Sequence, residues 1–343
     1  MSSRSAARND ARTAVLDRRA RPLRDLRISV IDACNFRCPY CMPAERVPER
    51  HGTDAGARLS FDEIERAARG FVRAGVGKLR LTGGEPLLRR NLPDLVARLS
   101  ALPGVEDLAL TTNGALLDRQ ARALREAGLH RLTVSLDSLD PARFAAMSGG
   151  RGALRDVLRG IAAAEEAGFR RIKFNVVVRR GVNEDDALAI AAHFRGSSHV
   201  VRFIEYMDVG TCNEWRREEV VPSRELRDRI HARWPLRAVD RSYRGEVAER
   251  HVYADGEGEV GFVSAVTAPF CGDCHRARLS ADGQLYTCLF ASRGHALRPF
   301  LQGDDAALDA RIAAVWAART DRYSELRGRG AGARPIEMFL IGG

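Results

Sequence analysis

Residues 26–41 read LRISVIDACNFRCPYC, a short apolar stretch that leads directly into three closely spaced cysteines. The apolar part has the β-branched content and length of a buried parallel strand. Cys34, Cys38 and Cys41 follow it in the pattern CxxxCxxC. Parallel α/β barrels carry their chemistry at the carboxyl ends of their strands. The cysteine loop is therefore the first candidate for a functional site.

Five further segments have the same apolar character and are predicted to be strands: KLRLTGG (78–84), DLALTTNG (107–114), RLTVSLDS (131–138), RIKFNVVV (171–178) and VVRFIEYM (200–207). Helical patterns separate them, at 60–74, 91–101, 115–127, 153–167 and 184–195. Six successive βα units predict an α/β fold in which a parallel sheet curls into a partial (βα)6 TIM-like barrel, over residues 23–210. A helical pattern at 222–232 and short strand patterns at 235–262 predict a C-terminal extension.

The basic charge of the chain is carried almost wholly by arginine. The net charge is +10, and Lys78 and Lys173 are the only lysines among 55 basic residues. The arginines are dispersed and aromatic residues make up 6% of the chain, which disfavours a nucleic-acid-binding face. No apolar run approaches the ~20 residues of a membrane span, and residues 1–25 lack the apolar core of a secretory signal. We expect a cytoplasmic protein without a nucleic-acid or membrane partner, and a basic flexible arm at residues 1–22.

The first cysteine group has the composition of a metal site. Clustered cysteines in a chain without a secretory signal are typical of metal ligands rather than of disulfides. Three thiolates on one short loop suit a 4Fe–4S cluster that keeps one iron open for a small molecule. The alternative is a zinc knuckle completed by a distant histidine such as His51, because structural zinc takes four protein ligands.

Together with the glycine-rich end of the second strand, the cysteine loop resembles the radical S-adenosylmethionine (SAM) superfamily. Residues 82–86 read TGGEP, and glycine at such a turn allows a close approach of the backbone to a ligand. The resemblance implies that the three cysteines hold a 4Fe–4S cluster whose open iron binds SAM, which is then cleaved to a 5′-deoxyadenosyl radical. It also implies cofactor contacts at Tyr40, Gly84, Ser135 and Met207.

A second cysteine group lies far along the chain. Residues 271–288 read CGDCHRARLSADGQLYTC, a CxxC pair followed by a third cysteine. On spacing alone the segment is either a zinc ribbon with His275 or Cys212 as its fourth ligand, or a second 4Fe–4S cluster with an open iron.

This segment and the terminal Gly342 and Gly343 resemble the GTP 3′,8-cyclase family of molybdenum cofactor biosynthesis. The resemblance extends over the chain from about Leu23 to Gly343. The similarity implies a second 4Fe–4S cluster in region 211–330, held by Cys271, Cys274 and Cys288. It implies that the tail, residues 331–343, brings both glycines to the active site. There the radical removes the ribose 3′ hydrogen of GTP, and the sugar carbon attacks C8 of guanine. The implied GTP contacts are Arg27, Arg80, Thr111, Lys173, Arg276, Ala277 and Arg278.

The charge of the implied substrate agrees with these residues. GTP carries about four negative charges at neutral pH and needs fixed cations with donors matched to phosphate oxygens. Lys78 and Arg202 are additional candidates, whereas for Lys173 a buried ion pair with Glu205 is the structural alternative. The resemblance also implies a reductant or electron-donor protein and a downstream cyclic pyranopterin monophosphate synthase, and it leaves a homodimer open.

Two other functions are weighed against this one. A radical SAM peptide-modifying enzyme with an auxiliary cluster is typically richer in C-terminal cysteines and leaves the Arg-x-Arg at 276–278 unexplained. A zinc-binding, nucleic-acid-binding protein predicts stacking aromatics and a concentrated basic face. Iron and sulfide in the purified protein would indicate an enzyme, and colourless zinc a binding protein.

Overall fold

A computed structural model describes residues 14–45, 57–328 and 334–342. Over these ranges twelve strands form one sheet: β1 Asp25–Ser29, β2 Lys78–Thr82, β3 Asp107–Thr112, β4 Arg131–Ser135, β5 Lys173–Val178, β6 Val200–Glu205, β7 Leu236–Val239, β8 Glu249–Tyr253, β9 Glu259–Val263, β10 Arg276–Leu279, β11 Gln284–Tyr286 and β12 His295–Ala296. The helices in the same ranges are α1 Phe61–Arg73, α2 Leu92–Ser100, α3 Leu117–Glu126, α4 Pro141–Met147, α5 Leu154–Glu166, α6 Asp186–Phe194, α7 Ser223–Arg233, α8 Asp305–Ala317, α9 Tyr323–Leu326 and α10 Met338–Ile341. None of these helices is long and apolar enough to cross a membrane.

The six predicted βα units are confirmed as a parallel sheet in the order β1 to β6. Local sequence explains the helix starts. Ser60 and Glu63 form a capping box at the start of α1, each side chain bonded to the other residue's backbone. The additional helix α4 was not predicted. It begins at Pro141 because the Asp140 side chain accepts a hydrogen bond from Arg143 N at 2.7 Å.

The C-terminal region extends the same sheet at both edges. Strand β9 pairs in parallel with β6, and β10 pairs in parallel with β1. Antiparallel strands β8 and β7 follow β9, while β11 and β12 follow β10. The boundary predicted at residue 210 therefore separates two segments that share one sheet.

The two faces of the sheet differ in polarity. In β1, Leu26 and Ile28 are fully buried in the core between sheet and helices, whereas Arg27 alternates with them and lies on the opposite face. Ala277 of β10 is paired with Leu26 and shares its apolar environment. The concave face is left to charged and polar side chains.

Residues 14–22 differ from the flexible arm that was predicted for residues 1–22. Val15 N donates to Ala74 O at 3.1 Å. The side chains of Asp17 and Arg21 are buried and form an ion pair, with Nε and Oδ2 2.6 Å apart. Arg21 is therefore neutralised inside the protein, while Arg18 and Arg19 of the same segment are exposed. Residues 1–13 lie outside the described ranges.

Candidate active site

The first cysteine loop leaves the carboxyl end of β1 and is held from several sides. Cys41 N donates to Cys38 O at 2.9 Å, and Asn113 Nδ2, after β3, lies 3.9 Å from Cys34 Sγ. Tyr40 is anchored to the end of β4 because its hydroxyl donates to Asp137 Oδ2 at 2.7 Å. Neighbouring strand ends thus fix the orientation of the loop.

The glycine turn after β2 packs directly against the chain that follows β1. Gly84 N donates to Ile31 O at 2.7 Å, and Glu85 N donates to Ala33 O at 2.9 Å. A Cβ atom on Gly84 would lie 2.3 Å from Ala33 O. Glycine is required here by the contact between two backbone segments, which brings this turn beside the cysteines.

All three thiols face a first cavity, of about 1100 Å³ of empty volume, at the carboxyl ends of the strands. Every predicted SAM contact lines the same cavity: Tyr40, Gly84, Ser135 and Met207. The residues predicted from separate strands are therefore brought together in one place.

The electrostatics of the first cavity suit a metal cluster. Burial, with a further contribution from the Glu85 carboxylate, raises the pKa of Cys34 to about 11. Burial also raises the pKa of Cys38 and of Cys41, whose neighbouring thiols add to the effect. No lysine or arginine is among the described residues that line this cavity. The thiolate forms therefore need a bound cation, and three soft sulfur donors fit a 4Fe–4S cluster.

The second cysteine group lines a second cavity, of about 1030 Å³ of empty volume. Burial alone would raise the pKa of Cys274, but the adjacent Arg276 and Arg319 lower it to about 6. Burial raises the pKa of Cys288 to about 11. All three thiols of this group line the same cavity, and three sulfur donors are the ligand type that an iron–sulfur cluster takes.

Neither residue considered as a fourth zinc ligand lines the second cavity. His275 Nε2 lies 2.8 Å from Arg244 O, on the side of the sheet where the strands begin. Cys212 Sγ lies 3.1 Å from Glu337 Oε2 and packs near Cys41 of the first group.

The two cavities are adjacent. Both are lined by Thr111, Asn175, Ile204, Met207 and Met338. Met338 is the first residue of α10 in the tail segment, and α10 contacts β1. Gly342 O accepts a hydrogen bond from Arg278, and a Cβ on Gly342 would lie 2.2 Å from the Thr82 side chain. Met338 thus lies at the wall between the cavities, and Gly342 lies beside Arg278, which lines the second cavity, and Thr82, which lines the first. Gly343 lies outside the described residues.

A row of arginines crosses the concave face. Arg27 of β1 is in register with Arg80 of β2 and Arg278 of β10. All three line the second cavity, as do Arg276 and Thr111. Burial, followed by repulsion from the other arginines, lowers the pKa of Arg27 well below its usual value. Burial and Arg276 lower the pKa of Arg278 to about 9. This concentration of like charge favours a polyanionic ligand.

A third cavity, of about 700 Å³ of empty volume, continues this surface toward the strand starts, and both lysines of the chain line it. Burial, then Arg202 and other cations, lower the pKa of Lys173 to about 7. The ion pair considered between Lys173 and Glu205 is not formed. Glu205 instead accepts hydrogen bonds from Ser223 N, Val266 N and Thr267 N at 2.8–2.9 Å.

One predicted GTP contact is placed differently. Ala277 alternates with Arg276 and Arg278 along β10, so its side chain points away from the cavities and is fully buried in the core. Sequence reasoning also missed residues. Arg319 and Met338 line the second cavity, and no local motif marks them because they reach it from distant segments.

Comparisons with known proteins identify the family of the chain. The Radical SAM superfamily profile matches residues 28–194, and the Molybdenum Cofactor Synthesis C profile matches residues 199–325. The chain is 65% identical over 328 residues to the GTP 3′,8-cyclase of Xanthomonas campestris pv. campestris (strain 8004), covering 95% of this chain and 97% of that protein. It is 51% identical over 358 residues to the GTP 3′,8-cyclase of Acidothermus cellulolyticus, covering 96% and 99%.

A solved structure supports the fold. The crystal structure of Streptococcus suis SuiB bound to S-adenosylmethionine superposes with a TM-score of 0.62 at 14% identity, covering 90% of this chain and 68% of that chain. The curated relatives are similar over nearly their whole length and share one name. The chain belongs to the GTP 3′,8-cyclase family of the radical SAM superfamily.

Proposed function

We propose that the protein cyclises GTP to (8S)-3′,8-cyclo-7,8-dihydroguanosine 5′-triphosphate, the first step of molybdenum cofactor biosynthesis. One observation supports this most strongly. A cavity lined by three cysteines and the predicted SAM contacts shares a wall with a second cysteine-lined cavity that is rich in arginine. Adjacent cavities allow a radical generated on one side to reach a substrate held on the other.

In the first cavity, Cys34, Cys38 and Cys41 would hold a 4Fe–4S cluster, and Tyr40, Gly84, Ser135 and Met207 would contact SAM. When bound, the cluster would supply the electron that cleaves SAM, and SAM would supply the carbon radical that abstracts a hydrogen atom. The protein orients and encloses this chemistry. Tyr40 is fixed by Asp137, and Asp137 is fixed by Val177 N at 2.8 Å, so the cysteine loop is held against β4 and β5.

In the second cavity, Cys271, Cys274 and Cys288 would hold a second 4Fe–4S cluster that positions the guanine. The triphosphate would be neutralised by Arg27, Arg80, Arg276, Arg278 and, in the third cavity, Lys173. Arg80 Nη1 already donates to Thr111 Oγ1 at 2.9 Å, which holds that guanidinium toward the shared wall. At Ala277 any contact would come from the backbone, since its side chain is in the core.

Gly342 and Gly343 are proposed to form the part of the wall nearest the reacting atoms. Gly342 has φ of +73°, a conformation that favours glycine. Because the two glycines have no side chains, they would leave room for the ribose to approach SAM closely. An electron-donor protein, a downstream cyclic pyranopterin monophosphate synthase, a cytoplasmic location and a homodimer belong to the same proposal.

Anaerobic reconstitution with iron and sulfide, followed by reductant, SAM and GTP, tests this function. We expect about eight irons per chain from two clusters, 5′-deoxyadenosine, and a nucleotide product with the mass of GTP. Mass spectrometry and iron analysis measure all three. Formation of 5′-deoxyadenosine without a product from GTP would support the radical chemistry but contradict the assignment of GTP as the substrate.

The affinity for GTP is expected to weaken as pH rises above 7, through Lys173. Burial and neighbouring cations lower the pKa of Lys173 to about 7. Lys173 is therefore charged below that pH and progressively neutral above it, and the triphosphate binds the charged form. The affinity should fall by up to about tenfold per pH unit until the pKa of the ligand-bound lysine is passed.

Equilibrium binding of GTP to the reconstituted protein without SAM, between pH 6 and 9, measures this effect. Lys173→Arg is the matched variant, because arginine stays charged over this range. The titration of GTP itself is common to both proteins and cancels in the comparison. Parallel pH profiles for the two proteins would contradict the prediction.

A further inference from the structure

The loop between β7 and β8, residues 240–248, closes the third cavity at the end where the strands begin. Tyr243, Gly245, Glu246, Val247 and Ala248 line that cavity together with Lys78 and Lys173. Outside the loop lies a groove that is also lined by Tyr243 and Lys78. Tyr243 and Lys78 therefore stand between the interior of the cavity and the exposed groove.

The contact between these two residues is direct. Lys78 Nζ donates to the Tyr243 hydroxyl at 2.9 Å and lies 4.8 Å from the centre of the Tyr243 ring. Within the described part of the chain, the same ammonium group also forms an ion pair with Asp107 Oδ2, at 3.8 Å. Lys78 is thus held at the boundary of the cavity by Tyr243. Its anionic neighbour, Asp107, is shared with Arg131, so two cations stand against a single carboxylate.

The loop is fixed in position around Tyr243. Arg241 and Arg244 bind the Asp273 carboxylate at 3.0 and 3.2 Å. A Cβ atom on Gly245 would lie 1.7 Å from His275 Nε2, so the loop packs tightly against the start of β10. These contacts hold loop 240–248 against the start of β10, next to the cysteine pair at 271–274.

The cavity that this wall closes is short of anions. Seven cationic residues line it (Arg27, Lys78, Arg80, Lys173, Arg202, Arg250 and Arg276), against three acidic ones (Asp25, Glu246 and Glu259). Arg250 and Glu259 neutralise each other, with contacts of 2.8 and 2.9 Å. The buried Arg202 Nε has no hydrogen-bond partner among the described residues. Such an unpaired donor and the excess of positive charge both indicate a missing anion.

We propose that Tyr243 is a specificity-determining residue that ends the phosphate pocket and holds Lys78 at the position of the terminal phosphate, so that loop 240–248 sets the number of phosphates accepted. The proposal rests on the proposed function, because it takes the anion to be the phosphate chain of the nucleotide. A longer phosphate chain would collide with the Tyr243 ring. A shorter one would leave Lys78 without its anion.

The test compares GTP, GDP and guanosine 5′-tetraphosphate as substrates of the reconstituted enzyme. For Tyr243→Ala, we expect kcat/KM for the tetraphosphate relative to GTP to rise about tenfold, because the wall is removed. For Tyr243→Phe the ring remains, so the tetraphosphate stays excluded. The preference for GTP over GDP should fall severalfold in this variant, because Lys78 loses its hydrogen-bond partner.

Arg237→Ala, an exposed change on β7 of the same hairpin, should keep the wild-type ratios. Iron content and thermal unfolding of each variant separate misfolding from altered specificity, and equilibrium binding of the three nucleotides gives a second measure. A tetraphosphate-to-GTP ratio within twofold of wild type in a folded, iron-loaded Tyr243→Ala protein would overturn the inference. If the wild-type enzyme itself fails to convert GTP, the proposed function fails instead.

Discussion

Replacing Cys274 with alanine is expected to abolish conversion of GTP while reductive cleavage of SAM continues. Cys274 lines the second cavity and not the first, where all the predicted SAM contacts are found. Loss of a thiolate ligand should remove the second cluster and lower cyclisation by at least about 100-fold. Replacing Cys34 should instead abolish both reactions, because the first cluster is the site of SAM cleavage. The two products, 5′-deoxyadenosine and cyclised nucleotide, are measured in the same reactions.

The seventh cysteine of the chain provides the matched control. Cys212 is buried and lies near Cys41, but it lines neither cysteine cavity. Cys212→Ala should keep about eight irons and both activities, while Cys274→Ala and Cys34→Ala should each lose about four irons. If Cys274→Ala still cyclises GTP, the second cavity does not position the substrate.

Much of the fold follows from local patterns in the sequence. The strands of the six βα units have regular apolar periodicity, and the structure places each within a few residues of the predicted range. The positions of the C-terminal strands within the sheet could not be predicted from local patterns. β10 has four residues and β9 has five, and their pairing with β1 and β6 joins segments far apart in sequence. Local periodicity carries no information on which distant strand is the neighbour.

In the candidate site, too, local sequence predicted some features, while others depend on contacts between distant segments. Alternation with Leu26 and Ile28 predicts that Arg27 leaves their face, but a single strand does not reveal which face is enclosed. The register of Arg27 with Arg80 and Arg278 decides it, because three arginines meet on the concave face. The alternative of an ion pair between Lys173 and Glu205 is not formed, for a related reason. Glu205 is occupied by backbone donors from segments near 223 and 266, and sequence reasoning could not place those segments beside β6.

The most distant of these contacts joins the N-terminal segment to the second cysteine group. Asp17 Oδ2 accepts hydrogen bonds from Arg21 Nε at 2.6 Å and from Arg319 Nη1 at 3.2 Å. Arg319 also donates to Cys274 O at 2.7 Å and to Thr287 O at 2.9 Å, while Arg21 donates to Cys271 O at 2.7 Å. The three charged side chains are almost wholly buried. They bind backbone carbonyls at or next to every cysteine of the second group.

Replacing Arg319 with methionine is therefore expected to destabilise the protein and to remove the second cluster selectively. Removing one partner from a buried charge network typically lowers the free energy of unfolding by about 3–5 kcal/mol, because the remaining charged groups stay buried without a partner. The carbonyls of Cys274 and Thr287 lose their donor, so the loops that carry two cysteines are no longer held in place. The first cluster, in the other cavity, should be retained.

Iron content, the electron paramagnetic resonance signal of each reduced cluster, and chemical denaturation measure this prediction. Arg322→Met is the matched control: Arg322 is 42% exposed and pairs with Glu325 three residues away, so its loss should change stability by less than about 1 kcal/mol. Arg319→Lys keeps the charge but lacks the planar fork that reaches two carbonyls, and should restore stability more than cluster content. A folded Arg319→Met protein with both cluster signals intact would show that Asp17, Arg21 and Arg319 only stabilise the fold. Loss of the second signal alone, at temperatures well below unfolding, would establish that Arg319 positions the second cluster.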